Sequence, residues 1–417
     1  MTHKILARAA GVRAVSTGSF VEVEVDMCFA HDPVLVQLRD LFYREFGADA
    51  RVWDPEKIVL IQDHLVPAKD SLSRHFAAAM DRFVEEQAIS RYYPYGPKYG
   101  VCHIVMCEEG HVLPGQVVLG TDSHSVTYGA FNAFGSGVGL IDMLNVFSAG
   151  RLWFRVPEVI EVAIDGVLPP NVQAKDVILR LLGDIGMAGA SSKTIEFTGS
   201  TVAEMSAEER MTLCNMSVEA GATNGIMALT SAARAYLARA RPDAALEPVE
   251  TDPGFEYARR LSYRAEELTP MVACPHRPDN VRSISELKGQ RIAVEQVYVG
   301  SCTGAKLEDI AVVARTLAGE RVADGVQLMI VPATMRIYRE MLAQGHLASL
   351  MASGAVIESP GCKACYGAHG GVSGDGEVCL STTNRNFRGR MGNPKASVYL
   401  ASPYVAARSA IAGFITD

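Results

Sequence analysis

An α/β fold is the class that the chain predicts, and three observations predict it. Short apolar runs occur at EKIVLIQDH (56–64), GQVVLGTDSH (115–124), QRIAVEQVYVGSC (290–302) and VQLMIVP (326–332), and they read as strands buried in a sheet. Segments with helical apolar spacing lie between such runs. No repeat of fixed period and no low-complexity tract is present, which argues against a solenoid or a propeller. All but the last run pass directly into polar loops containing glycine or histidine, the place where open α/β sheets gather ligand groups.

Two helices can be justified residue by residue. SAEERMTLCNMSVEAGA opens on Ser206 and Glu209 in the Ser-x-x-Glu capping pattern and sets Leu213, Met216 and Ala220 on one face. Asn215 and Glu219, four apart, are expected to share another face of that helix. TGAKLEDIAVVARTLAGE places Leu307, Ile310, Ala311, Ala314 and Leu317 at helical spacing and closes on Gly319. RARPDAALEPVETDPG (239–254) and CPHRPDN (274–280) are polar and proline-containing, so they read as linkers or surface loops. A chain of 417 residues is too long for one ordinary core, and the expected division is 1–155, 156–275 and 276–417.

Bulk composition narrows the function. With 48% apolar and 21% charged residues the chain is globular, and a net charge of -8 without a basic block argues against a nucleic-acid surface. No run approaches the roughly 18 apolar residues of a membrane span, and MTHKILARAAGVR has no apolar signal core, so a cytoplasmic location away from membranes is expected. Nine cysteines, an odd number, read as reduced thiols rather than a disulfide framework. Cys28, Cys102, Cys107, Cys214, Cys274 and Cys379 stand singly among apolar or small neighbours, as buried structural thiols do.

The other three carry a sharper signal. Cys362 and Cys365 form a lone CxxC in ESPGCKACYGAHGG, a spacing shared by redox dithiols, zinc knuckles and iron–sulfur clusters. A thioredoxin-type pair would lie near the first βαβ unit, whereas this one lies late in the chain among glycines. Cys302, in VGSCTGAKLEDI, is expected to follow a strand and open a helix, where a thiolate is favoured. Three thiolates would hold a four-iron cluster with one iron open, or a three-ligand zinc. The cysteines alone also allow an incidental loop.

Histidine and carboxylate recur at the predicted strand ends: Asp63 and His64 in IQDHLVPAKD, His103 in YGVCHIV, and Asp122, Ser123 and His124 in GTDSHS. One such histidine is usually a hydrogen-bonded core or surface residue. Three of them with two aspartates, in a chain with a metal candidate, point to proton transfer, which carboxylate-paired histidine performs well. TTNRNFRGRMG supplies Asn384, Arg385, Asn386, Arg388 and Arg390, and the planar fork of arginine matches a carboxylate.

GTDSHSVTYGAFNAFGSGVG, GSCTGAKLED, SPGCKACYGAHGG and STTNRNFRGRMG, in this order, together resemble the aconitase superfamily. The resemblance is closest to the large subunit of the split hydro-lyases: isopropylmalate isomerase, homoaconitase and their dimethylmalate or citramalate relatives. It implies three α/β/α domains around a cleft and one [4Fe-4S] cluster on Cys302, Cys362 and Cys365, with one iron open to substrate. It implies that Asp63 and His64 serve the leaving hydroxyl, that His103 pairs with Asp122, and that His124 pairs with Glu219. Asn215 and Asn384 would lie against the cluster, and Glu219 near the iron and its bound water. Arg385, Arg390 and Ser123 would bind a 2-hydroxy dicarboxylate, leaving Arg388 to the surface.

The chain departs from the family's pattern in three places. Position 304 is Gly where relatives usually have Asn, and FAHDPVLVQ replaces the usual sequence after His-Asp, which weakens what can be carried over to His31 and Asp32. The swivelling fourth domain with its Gly-Ser-Ser-Arg serine is absent, so a small partner subunit is expected to supply that serine in a heterodimer or a dimer of heterodimers. The expected activity is dehydration and rehydration of a 2-hydroxy diacid. Isopropylmalate isomerisation in leucine biosynthesis is the first choice, and homoaconitase (lysine pathway) or dimethylmalate/citramalate dehydration the alternative. A catalytically inactive iron–sulfur regulator or RNA-binding protein would be the reading from another class.

Overall fold

The computed structural model describes residues 1–417, which fold into two compact units. One comprises Met1–Gly96, Cys102–Asp165 and Ala190–Tyr263; the other comprises Pro97–Val101, Gly166–Gly189 and Arg264–Asp417. No helix is long and apolar enough to cross a membrane.

The first unit contains a five-stranded, wholly parallel sheet ordered Arg91–Tyr93, Ile58–Ile61, Met27–His31, Val117–Gly120, Phe134–Gly137. Every residue of Met27–His31, Ile58–Ile61 and Val117–Gly120 is buried, as strands covered on both faces require. Cys28, Ala30, Ile58 and Leu60 share a core with Leu35, Leu38 and Phe42 of helix Asp32–Phe46, Met80 and Phe83 of Ser71–Gln87, and Phe147 of Leu140–Ala149. Spacings of three and four residues put those helical side chains on one face. Asp70 caps the second helix by accepting from the Ser73 N–H at 2.7 Å. The same unit holds a four-stranded sheet, ordered Asn224–Met227, Lys193–Thr198, Glu158–Asp165, Arg259–Arg264, and an antiparallel ribbon of Phe20–Glu24 with Arg151–Arg155.

The second unit is built on a seven-stranded mixed sheet: Val281–Ser283, Met271–Ala273, Ser397–Ala401, Val378–Ser381, Gln296–Val299, Gln327–Ile330, Val356–Ile357. Its last five strands run parallel, and Met271–Ala273 is antiparallel to both its neighbours. The helix expected after Cys302 is found at Leu307–Thr316, with Gly319 beyond it at φ +79°.

Strand order is what positions the chemistry. In the five-stranded sheet the chain moves outward from Met27–His31 to Ile58–Ile61 and Arg91–Tyr93, then returns to add Val117–Gly120 on the opposite side. In the seven-stranded sheet it moves outward from Gln296–Val299, then returns to add Val378–Ser381 on the opposite side. Each reversal opens a crevice at the carboxyl ends of two adjacent strands.

Candidate functional site

The histidines and carboxylates of the first unit collect at its crevice. His31 ends one strand, Asp63 and His64 follow the next, and Asp122, Ser123 and His124 follow Val117–Gly120. Asp63 is fully buried and works in two directions. Its Oδ1 lies 2.5 Å from His64 Nδ1, and its Oδ2 accepts from the Cys102 N–H at 2.8 Å, capping the helix Cys102–Glu108 that carries His103.

Asp122 is the hub of three imidazoles. Its carboxylate lies 3.1 Å from His103 Nε2, 3.2 Å from His124 Nδ1 and 3.6 Å from His64 Nε2. It also accepts from the His124 N–H at 2.8 Å, which starts the 3-10 helix Ser123–Phe131. The far side of His124 meets Glu219, with Nε2 and Oε1 2.9 Å apart. One connected network thus joins Asp63, His64, Asp122, His103, His124 and Glu219. Ser123 is half-buried at the start of the 3-10 helix.

Burial alone would lower the His64 ring, but Asp63, then Asp122 and Asp32, lift it well above its ordinary value. Burial would raise Asp122, and the His103, His124 and His64 rings outweigh it, holding that carboxylate well below the usual range. The network therefore stores a proton on His64, as a general acid must.

His31 and Asp32 emerge as part of this arrangement. The His31 ring stacks on His64 with centroids 4.1 Å apart, and burial, then the charge on His64, pushes it down to about 3, leaving it neutral. Asp32 accepts from three successive backbone N–H groups, those of Asp63 (3.2 Å), His64 (3.0 Å) and Leu65 (2.8 Å). The departure from the family's pattern around FAHDPVLVQ obscured both residues. The available signal was their place at a strand end, like the other candidates. Asp32→Ala is expected to strip those buried donors of their acceptor and lower stability by about 2–4 kcal/mol in chemical denaturation.

The capping box at Ser206 and Glu209 forms, with bonds of 3.2 and 3.0 Å. The expected shared face does not. The α-helix Ala207–Met216 ends before Glu219, which sits in a separate 3-10 turn, Ser217–Ala220. Ser217 bonds back to the Leu213 carbonyl at 3.1 Å, a contact that weakens and bends a helix, and the 3-10 turn that follows closes on Gly221 at φ +83°. Asn215 donates to Thr127 Oγ1 at 2.8 Å, tying this helix to the turn that His124 opens.

In the second unit Cys302 lies in the one-turn helix Ser301–Gly304 after strand Gln296–Val299, and Asn384 lies just past the neighbouring strand Val378–Ser381. Asn384 Nδ2 is 3.3 Å from Cys302 Sγ, and Asn384 Oδ1 is 3.5 Å from Cys365 Sγ. One amide thus gathers two buried sulfurs from positions 63 apart in the chain. Cys362 is half-buried, and its carbonyl accepts from the Cys365 N–H at 3.1 Å. Ser301 and Lys363, adjacent to Cys302 and Cys362, have φ of +79° and +47°, strained values for non-glycine residues and a mark of functional loops. Gly304 packs so tightly that a Cβ there would overlap the Thr382 side chain.

Among the arginines, Arg390 holds its guanidinium 5.9 Å from the ring centroid of Tyr366, beside Cys365. Arg385 is half-buried directly after Asn384, and Arg388 is exposed against the Pro394 carbonyl. Cys28, Cys102, Cys107, Cys214 and Cys379 are buried, and burial drives Cys214 and Cys379 up to about 12. Cys274 is half-buried.

The sequence profile of the aconitase family (aconitate hydratase) matches residues 4–413. The chain is 45% identical to the 3-isopropylmalate dehydratase large subunit 1 of Methanopyrus kandleri, over 100% of this chain and 98% of that protein. It is 43% identical to a probable methanogen homoaconitase large subunit of Methanothermobacter thermautotrophicus, over 100% and 96%. The crystal structure of Thermococcus kodakaraensis aconitase X, holo form, has a similar fold at a TM-score of 0.50 and 10% identity, covering 95% of this chain and 88% of that one.

Proposed function

The chain belongs to the aconitase family, and on that premise we propose that it is the large subunit of an iron–sulfur hydro-lyase acting on a 2-hydroxy dicarboxylate. Isopropylmalate isomerisation is the favoured reaction, because relatives at 41–45% identity along the full chain carry the name 3-isopropylmalate dehydratase large subunit. Homoaconitase is the second reading, since a relative at 43% is so named. The word "large" in these names supports a small partner subunit, which would bring the catalytic serine.

The residues present fit a [4Fe-4S] cluster on Cys302, Cys362 and Cys365. Two of the sulfurs already converge on Asn384. When bound, the cluster supplies a Lewis-acid iron that polarises the substrate C–O bond without net redox change.

The chain's own side chains do the rest. His64, charged and held by Asp63 and Asp122, gives its proton to the departing hydroxyl. Arg385 and Arg390 grip the substrate carboxylates through planar forks. Glu219 orients His124 from the side opposite Asp122. The observation that carries this reading is the His64 imidazole held between the Asp63 and Asp122 carboxylates, in a chain that also gathers thiols around Asn384. A regulator that only sensed iron would need the cysteines alone.

The test is to co-purify the chain with its candidate small subunit without oxygen and follow the ultraviolet absorbance of the unsaturated diacid. Turnover of isopropylmalate by the complex, and none by either subunit alone, is expected. A complex inert toward isopropylmalate, homocitrate, dimethylmalate and citramalate would contradict the proposal. In the active complex, Arg385→Lys is expected to raise KM at least about tenfold with a smaller change in kcat, measured by steady-state kinetics.

A further inference from the structure

Lys175 is the second residue of helix Ala174–Ile185 in the second unit and is 1% exposed. Its ammonium donates to the Thr383 carbonyl at 2.5 Å and the Thr382 carbonyl at 3.1 Å, and reaches Thr303 Oγ1 at 3.4 Å. All three acceptors are neutral. The adjacent carboxylate, Asp176, is turned away, accepting from the Met271 and Gln173 N–H groups at 2.9 Å each. Asp309, the other carboxylate that acts on Lys175, is bound to Lys306 at 2.7 Å, and Lys306 is itself 1% exposed.

Lys175 thus rests on neutral acceptors beside a second buried ammonium, Lys306, which donates to the Thr303 carbonyl at 3.1 Å; burial, then Lys306, pushes Lys175 down to about 7. A cation at the first turn of a helix is also opposed by the helix dipole, and an uncompensated buried charge is strongly unfavourable. The cysteines, once ionised on a metal, would supply negative charge to this region. Thr303 adjoins Cys302, and Thr383 adjoins Asn384, whose amide lies 3.3 Å from Cys302 Sγ and 3.5 Å from Cys365 Sγ.

We propose that Lys175 is the buried counter-charge of the iron–sulfur cluster, clamping the Cys302 turn to the strand end that carries Asn384 and stabilising the anionic, metal-loaded state of the thiolates. This rests on the cluster assignment above. It gives Lys175 a positioning and electrostatic role without contact with substrate. Its direction is definite: a positive charge here favours the more negative, reduced cluster and slows loss of iron from the thiolates.

The test uses Lys175→Gln, which keeps a donor and removes the charge, and Lys175→Met, which removes both. Each is prepared without oxygen and compared with the unaltered chain. Iron and sulfide are counted, the midpoint potential is followed by EPR, and iron release to a chelator is timed. Lys175→Gln is expected to shift the midpoint to more negative potential and to release iron at least about tenfold faster, with an unchanged circular dichroism spectrum. Wild-type midpoint and release rate in both variants would overturn the proposal.

If the variants hold no cluster at all, melting of the cluster-free chains decides. A higher melting temperature for cluster-free Lys175→Met than for the cluster-free wild type shows that the charge is a burden without the cluster, as proposed. A lower one shows a purely structural lysine and overturns it. Absence of iron and sulfide from the wild type would instead overturn the cluster assignment itself, and this proposal with it.

Discussion

Replacing His64 by Gln is expected to lower kcat of the assembled enzyme by about 10²–10⁴-fold, the range for a positioned general acid, while iron content stays at the wild-type level. The His64 ring is held at Nδ1 by Asp63, 2.5 Å away, and faces Asp122 from Nε2 at 3.6 Å, so the proton proposed for delivery is the one on Nε2. The ring's raised pKa sets the pH window. The acid form persists above the ordinary value of 6.5 and is lost only as pH rises through the raised value. Asp63→Asn keeps an acceptor for the Cys102 N–H but removes the strongest influence raising His64. Its activity is expected to fail at lower pH than that of the wild type. The same sign applies to stability: the pairing contributes fully below pH 6.5 and fades as pH rises through the raised pKa. An alkaline limb unmoved by Asp63→Asn would contradict the assignment of His64 as the acid.

The second large effect is expected at Cys302. Cys302→Ser should reduce bound iron from about four to below about one per chain and lower activity by roughly 10³-fold, since several kcal/mol of C–O polarisation depend on the metal. Cys379→Ser is the matched control. Cys379 is also buried in the second unit, within strand Val378–Ser381, and its thiol is driven up to about 12 by burial. It should keep full iron and near-full activity. Equal losses in the two variants would mean that iron depends on general integrity of the fold rather than on the Cys302 sulfur.

Much of this arrangement was legible in the sequence because it depends on local pattern. The buried strands announce themselves as apolar runs, the Ser206–Glu209 box by its spacing, and the candidate side chains by their place after strands. Strand order was not legible. Nothing local says that Val117–Gly120 returns beside Met27–His31, or Val378–Ser381 beside Gln296–Val299, yet those returns create both crevices. Links between distant residues were hidden for the same reason: Asp63 capping the His103 helix, and Asp32 holding the turn at 63–65. The break between Asn215 and Glu219 was missed because periodicity continued across Ser217, where a side-chain bond to the backbone weakens the helix and a 3-10 turn closing on Gly221 follows. Lys175 gave no sign, since one lysine in an amphipathic helix reads as solvated until its burial is seen.

The most direct measurement is iron and acid-labile sulfide per chain, with EPR, on protein purified without oxygen. About four of each is expected, with a four-iron cluster signal on reduction. Zinc in place of iron, or no metal under those conditions, would contradict the hydro-lyase proposal by removing the Lewis acid on which it depends.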